Sequence, residues 1–203
     1  MDSTEQILAA LPEITGWHED FYRDLHQHPE LSFQETRTAS RVAERLRELG
    51  FEVHEKIGGT GLVGILRNGG GKTVLARADM DALPVLEESG LPYASVAATV
   101  DAEGKTVPLM HACGHDLHVT CLLAAAQLLA GRREAWAGTF IALFQPAEEV
   151  GAGARSMVDG GLEQLIPRPD VALGQHVMGL PFDTVATRPG AIMSAADSVR
   201  VTV

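Results

Sequence analysis

The chain has 203 residues, 45% hydrophobic and 21% charged, the balance of a globular protein and too apolar for a disordered one. Lys and Arg number 16 against 27 Asp and Glu, a formal net charge of −11, which argues against a nucleic-acid or anionic-membrane surface. Two cysteines, Cys113 and Cys121, are too few for a disulfide scaffold, so free-thiol chemistry is expected.

The first six residues, Met-Asp-Ser-Thr-Glu-Gln, have neither a basic n-region nor an apolar h-region. No secretory signal is expected, and the expected location is the cytoplasm. Ser3 with Gln6 reads as a capping box, and Pro12 as the start of a second helix. That helix carries Trp17, Phe21 and Leu25 and stops before Pro29. His26-Gln27-His28 resembles a metal pair, but at a helix end it reads as termination and packing. Ser32 and Glu35 repeat the capping pattern, ahead of Ala39, Val42, Ala43, Leu46 and Leu49 at helical spacing.

Beyond Gly50 the pattern turns to strands. Phe51–Ile57 and Leu62–Leu66 read as a hairpin around Gly58-Gly59-Thr60-Gly61. The Gly59–Gly64 match to G-x-G-x-x-G is followed by strand-like residues, so it lacks the helix N-terminus that would hold a pyrophosphate. Thr73–Ala78 is a buried strand running into Asp79 and Asp81, followed by a loop-rich stretch with Pro84, Pro92 and Pro108. A largely apolar helix runs from His115 to about Arg132, with Cys121 expected in the core. Its apolar stretch from Val119 to Ala130 is shorter than the ~20 residues that a bilayer needs. Gly138–Phe144 is a strand, Ala154–Leu165 a helix and Val171–Gly174 a strand. The tail from Asp183 to Val203 alternates as strands do. Strands alternating with helices imply an α/β fold, a mostly parallel mixed sheet flanked by helices.

Unusual polar groups sit where strands end or a helix begins. Asp79 and Asp81 follow one strand, and Cys113, His115 and Asp116 open the long helix. Glu148 and Glu149 follow another strand, and His176 a third. In open parallel sheets ligands sit outside the carboxyl ends of the strands, so four segments would share one crevice. A thiol, two imidazoles and several carboxylates are the donors of a metal site, and their number suits two ions. Adjacent glutamates suit a division of labour in which one binds metal and the other takes a proton from water. His118, one turn from His115, is expected to line the pocket or orient a ligand.

Four ordered stretches carry a resemblance: Arg23–Phe33 (RDLHQHPELSF), Arg77–Pro84 (RADMDALP), Met110–Asp116 (MHACGHD) and Gln145–Glu149 (QPAEE). Together they resemble the M20 metallopeptidase family in its amidohydrolase branch, which includes hippurate hydrolases, N-acyl-amino-acid amidohydrolases and auxin-conjugate hydrolases. The resemblance implies a zinc-peptidase-like catalytic domain with two divalent metal ions, Mn2+ or Zn2+. Cys113, His115, Glu149 and His176 match metal ligands, Cys113 between the two ions, and Glu148 matches the general base. Asp81 matches an aspartate that orients a metal ligand, and Asp79 stands where related peptidases place a metal-binding histidine. Leu117 and Val150 stand where glycine is common, and Gln175 where leucine is.

The implied activity is metal-dependent hydrolysis of the amide bond of an N-acyl amino acid or small peptide-like substrate, with no nucleic-acid or membrane partner. Family members are longer and continue into a lid or dimerisation domain, through which two copies could form a homodimer. They then return to the catalytic domain with another metal-binding histidine, and the lid domain supplies a histidine that helps stabilise the tetrahedral intermediate. Residues 1–190 are therefore expected to be a partial catalytic domain, and 191–203 the start of the missing one. The alternative is a catalytically inactive fragment that retains partial metal binding. A cysteine hydrolase using Cys113 is a further alternative, which needs an orienting partner and an oxyanion site.

Overall fold

The helical spacing of the first fifty residues is realised as α1 (Ser3–Leu8), α2 (Leu11–Gln27) and α3 (Thr36–Glu48). The computed structural model describes residues 2–101, 104–181, 183–192 and 199. The capping box of α1 is Asp2 with Glu5, one residue ahead of the expected Ser3 and Gln6. Pro12 lies in the first turn of α2, where its missing N–H costs nothing. Ile14, His18, Phe21 and Leu25 recur three or four residues apart and are buried. The start of α3 corrects a second expectation. Its first-turn amides, those of Arg37 and Thr38, are bound by the Glu30 carboxylate at 2.9 and 2.8 Å. Ser32 and Glu35 therefore make no capping box, and their side chains turn elsewhere.

β1 (Glu52–Ile57) and β2 (Gly61–Asn68) form the expected hairpin, and β3 (Thr73–Asp79) follows. The loop-rich stretch contains an antiparallel ribbon of β4 (Ala98–Val100) and β5 (Thr106–Pro108), too short to show in the sequence pattern. Then come α4 (His115–Gly131), β6 (Gly138–Gln145), α5 (Gly153–Asp159), α6 (Leu162–Leu165) and β7 (Val171–Gly174). The one helix expected over 154–165 is two, because the chain breaks at Gly160 and Gly161, the latter left-handed at φ 91°. Among the described residues no strand follows β7, so the alternating tail expected from Asp183 is not a strand over 183–192, and its remainder at 193–198 and 200–203 lies outside the described residues.

The main sheet has the order β1-β2-β6-β3-β7. β6, β3 and β7 are parallel neighbours, and β2 alone is reversed. β2 and β6 are covered on both faces, and their alternation divides the core. Leu62, Leu66, Phe140, Ala142 and Phe144 meet Phe21, Leu25, Leu46 and Leu123 of the helices on one side. Val63, Ile141 and Leu143 meet Met157 of α5 on the other. Each of the Val, Leu, Ile, Phe and Met side chains buried here stabilises the fold by about 1.5–3 kcal/mol. Cys121, expected in the core, is exposed on the outer side of α4.

Candidate metal centre

Register brings the polar segments together. Asp79 is the partner of Gln145 across the parallel β3–β6 pair, and Arg77 is the partner of Gly174 across β3–β7. Two to four residues beyond the strand ends, Asp81, Glu148, Glu149 and His176 therefore leave the sheet at the same edge. The N-terminus of α4 arrives there through Gly114, whose left-handed φ of 76° is open to glycine. A Cβ on Gly114 would lie 2.5 Å from Cγ2 of Val177, so glycine also admits the segment carrying His176.

Asp81 organises the centre. Its Oδ1 accepts the amide of Glu148 at 3.0 Å, and its Oδ2 accepts the amide of Glu149 at 3.0 Å and the Ser32 hydroxyl at 2.7 Å. Its main-chain carbonyl accepts Nδ1–H of His115 at 2.8 Å. That bond fixes the tautomer, so Nε2 of His115 presents its lone pair to the site. Around it lie Oδ2 of Asp79 at 3.6 Å, Oε2 of Glu148 at 3.7 Å and Oε1 of Glu149 at 3.8 Å. These separations are too long for hydrogen bonds but within the span of two metal–ligand bonds of about 2.0–2.2 Å each. Nε2 of His115 and Oε1 of Glu149 are both buried with no hydrogen-bond partner among the described residues. Burial opposes charge on His115, but the Asp81 bond and the charges of Asp79, Asp81 and Glu149 outweigh it and raise its pKa, so the pocket favours positive charge at Nε2, and two facing acceptors there fit a divalent ion.

The Cys113 thiol is pushed up to about 12 by burial first, then by Glu149 and the charges of Glu148 and Asp79. A thiol in this setting is a poor nucleophile at neutral pH and ionises only beside strong positive charge. The cysteine-hydrolase alternative is therefore disfavoured. His176 is exposed, its ring 6.1 Å from that of His115 and 4.7 Å from that of His118.

Asp79 is occupied by other partners. Oδ1 accepts Nδ1–H of His118 at 2.6 Å, and Oδ2 accepts an Arg77 guanidinium N–H at 2.6 Å. Burial alone would raise its pKa, but the His118 bond and the Arg77 charge outweigh that and hold it at about 2. Nε2 of His118 in turn accepts the Val177 amide at 2.9 Å, so Asp79 and His118 anchor the backbone beside His176. Asp116 points to another partnership: its carboxylate accepts Nδ1–H of His26 at 2.7 Å and caps the Leu117 amide at 2.9 Å. His26, read from the sequence as helix termination, is thus a buried ion-pair residue, and only His28 ends the helix, with Nδ1 on the Asp24 carbonyl.

The sequence profile of Peptidase family M20/M25/M40 matches residues 75–202. The chain belongs to this family. Among curated M20 relatives, thermostable carboxypeptidase 2 of Saccharolobus solfataricus is 41% identical over 100% of this chain and 50% of its own length. Hippurate hydrolase of Campylobacter jejuni is 40% identical over 97% of this chain and 49% of its own. Among solved structures, the YXEP protein of Bacillus subtilis, described as a dinuclear metal-binding peptidase of the M20 family, matches with a TM-score of 0.69 at 35% identity, covering 81% of this chain and 43% of that one. The chain spans about half the length of the curated M20 relatives it matches. The mixed α/β fold with helices on the sheet is that of M20 catalytic domains.

Sequence reasoning missed three residues that touch this centre or its supports. Ser32 and Glu35 are drawn in from the α3 entrance, the one to Asp81 and the other to Ala147. Arg77 reaches both Asp79 and Gln145, one residue from the glutamate turn at Pro146. The signal available for Arg77 was its alternation with Asp79 on one strand face; for Ser32 and Glu35 a local capping pattern masked the distant partners.

Proposed function

We propose that this chain forms the metal-holding, water-activating part of an M20 amide hydrolase that acts on N-acyl amino acids or small peptide-like amides. The facing pair of buried acceptors, Nε2 of His115 and Oε1 of Glu149, carries the reading. The named relatives, a carboxypeptidase and a hippurate hydrolase, support the substrate class.

On this reading Cys113, His115, Glu149 and His176 hold two divalent ions, Mn2+ or Zn2+. When bound, such ions polarise an amide carbonyl and lower the pKa of water. Glu148 is the general base. Its side chain is 38% exposed where that of Glu149 is 15% exposed, so it opens to substrate and solvent while its neighbour is turned inward. It takes the proton of the attacking water and passes it to the leaving amine, a role that contributes about 10²–10⁴-fold in rate. Asp81 holds the His115 tautomer and the glutamate amides, while Asp79 and His118 hold the backbone at Val177.

In the full-length protein, Glu148→Gln is expected to reduce turnover of a hippurate-like amide by at least about 100-fold. Its metal-to-protein ratio should stay at the wild-type value, because the exposed carboxylate is not a ligand. Turnover near wild type would remove Glu148 from the mechanism. Cys113→Ala is expected to lower the bound metal per protein, measured by elemental analysis after gel filtration; an unchanged ratio would refute the ligand role.

A further inference from the structure

Glu35 is fully buried, yet no Lys, Arg or His stands among the groups that bond it. All of them are donors. Its Oε1 accepts the Phe33 amide at 3.0 Å and, 112 residues away in sequence, the Ala147 amide at 2.8 Å. Its Oε2 accepts the hydroxyl of Thr60 in the β1–β2 hairpin. Ala147 immediately precedes the two glutamates and is left-handed at φ 49°, a conformation that a residue with a Cβ rarely adopts. Its carbonyl accepts the amides of Ala152 and Gly153, at 3.3 and 3.0 Å, which closes the turn from the other side.

Three consecutive amides, of residues 147, 148 and 149, thus end on two buried carboxylates: the first on Glu35, the next two on Asp81. We propose that Glu35 is a positioning residue for Glu148 and Glu149, its carboxylate holding Ala147 left-handed and so setting where both glutamate side chains emerge. This rests on the function proposed above for the effect on turnover, but the effect on the turn itself does not. Removing the Glu35 acceptor frees the Ala147 amide, lets φ relax and rotates the peptide that carries Glu148. Thr60 ties the same carboxylate to the hairpin, so the position of the turn is referred to the sheet rather than to the loop alone.

The test compares Glu35→Leu, Glu35→Asp and Glu35→Gln in the full-length protein. Gln keeps a carbonyl oxygen for the two amides and an amide group that the Thr60 hydroxyl can accept from. Leu has no acceptor, and Asp is one methylene short of Ala147. Hydrogen exchange read on the peptide spanning residues 145–151, in metal-free protein, is expected to accelerate in the Leu and Asp variants and to stay near wild type in Gln. Mn2+ affinity of the folded protein, read by calorimetry, and kcat on a hippurate-like amide should each fall about 10- to 100-fold in Leu and Asp, with KM little changed and Gln restoring both.

If Leu fails to fold, Asp carries the comparison. Unchanged exchange in 145–151 for the Asp variant would overturn the proposal, as would a Gln variant as impaired as Asp, or losses that follow only the fraction of folded protein. Faster exchange and weaker Mn2+ binding, alongside a Glu148→Gln protein that keeps its turnover, would uphold Glu35 as a positioning residue while removing Glu148 as the base.

Discussion

At the scale of single residues, the candidate centre is built on carboxylates that accept from the backbone around it. Asp81 accepts from Glu148, Glu149 and Ser32 through both oxygens. The bonds with His115, Ser32 and the two amides outweigh its burial and hold its pKa below the ordinary carboxylate value. An Asn at this position has one oxygen, so its NH2 must face either the Glu148 amide or the Glu149 amide together with the Ser32 hydroxyl. We expect Asp81→Asn to weaken Mn2+ or Zn2+ affinity by about 10- to 100-fold, read by calorimetric titration. It should also lower stability by about 1–3 kcal/mol, read by urea unfolding, because a buried donor is left unsatisfied. Wild-type affinity in that variant would mean that the glutamate turn holds itself. Asp81 was legible in the sequence because it lies two residues beyond a strand whose neighbours are parallel, and the sheet projects such residues to one edge. Glu35 was not. A Ser-x-x-Glu spacing fits a helix cap as well as it fits two long-range bonds, and nothing local distinguishes them. The cap it imitated was supplied by Glu30, whose carboxylate reaches forward to Arg37 and Thr38.

At the scale of elements, the strand patterns translated almost directly, since Val, Ile, Leu and Phe covered on both faces leave few alternatives to a central strand. The glutamate turn and the start of α5 are a different case, because their geometry depends on glycine and not on periodicity. Gly153 opens α5 against the turn, and a Cβ there would lie 1.5 Å from the Pro146 carbonyl oxygen. That oxygen is backbone and cannot swing aside, so the turn or the helix must move. Gly153→Ala is expected to cost about 3 kcal/mol or more in urea unfolding, at the upper end of overpacking effects. Bound metal should fall with it, since the displaced backbone carries Glu149. A stability within about 0.5 kcal/mol of wild type, the range of an ordinary surface substitution, would show that α5 can shift freely. The break at Gly160 and Gly161 has the same origin: a helical pattern continued through them in the sequence, but Gly161 at φ 91° leaves the helical region.

At the scale of the whole molecule, the helices are tied to the site through His26. It lies in the last turn of α2, donates Nδ1–H to Asp116 at the start of α4 and Nε2–H to Glu87 at 3.0 Å in the long loop before β4. Glu87 also accepts the Ser95 amide and the Ser89 hydroxyl, so one imidazolium closes that loop onto two helices. Both ring nitrogens donate to carboxylates, which requires the charged form. Accordingly the Asp116 bond, opposed by burial and aided by Glu87, raises its pKa to about 9. In the unfolded chain the value returns to about 6.5. A group whose folded pKa is raised stabilises fully below its unfolded pKa and loses that contribution as pH rises through the folded one. His26 therefore contributes its full stabilisation up to about pH 6.5, and the contribution declines from there to about pH 9, where the folded group also loses its proton. Above that range a neutral ring can donate from only one nitrogen, leaving either Glu87 or Asp116 without its partner. The expected observation is a fall in Tm across that interval that is absent in His26→Gln, which lacks the titration while retaining a polar side chain. Parallel stability-versus-pH curves for the two proteins would falsify the assignment. Such a result would leave the α2–α4 junction to the apolar packing of Phe21, Leu25, Val119 and Leu122, which does not titrate.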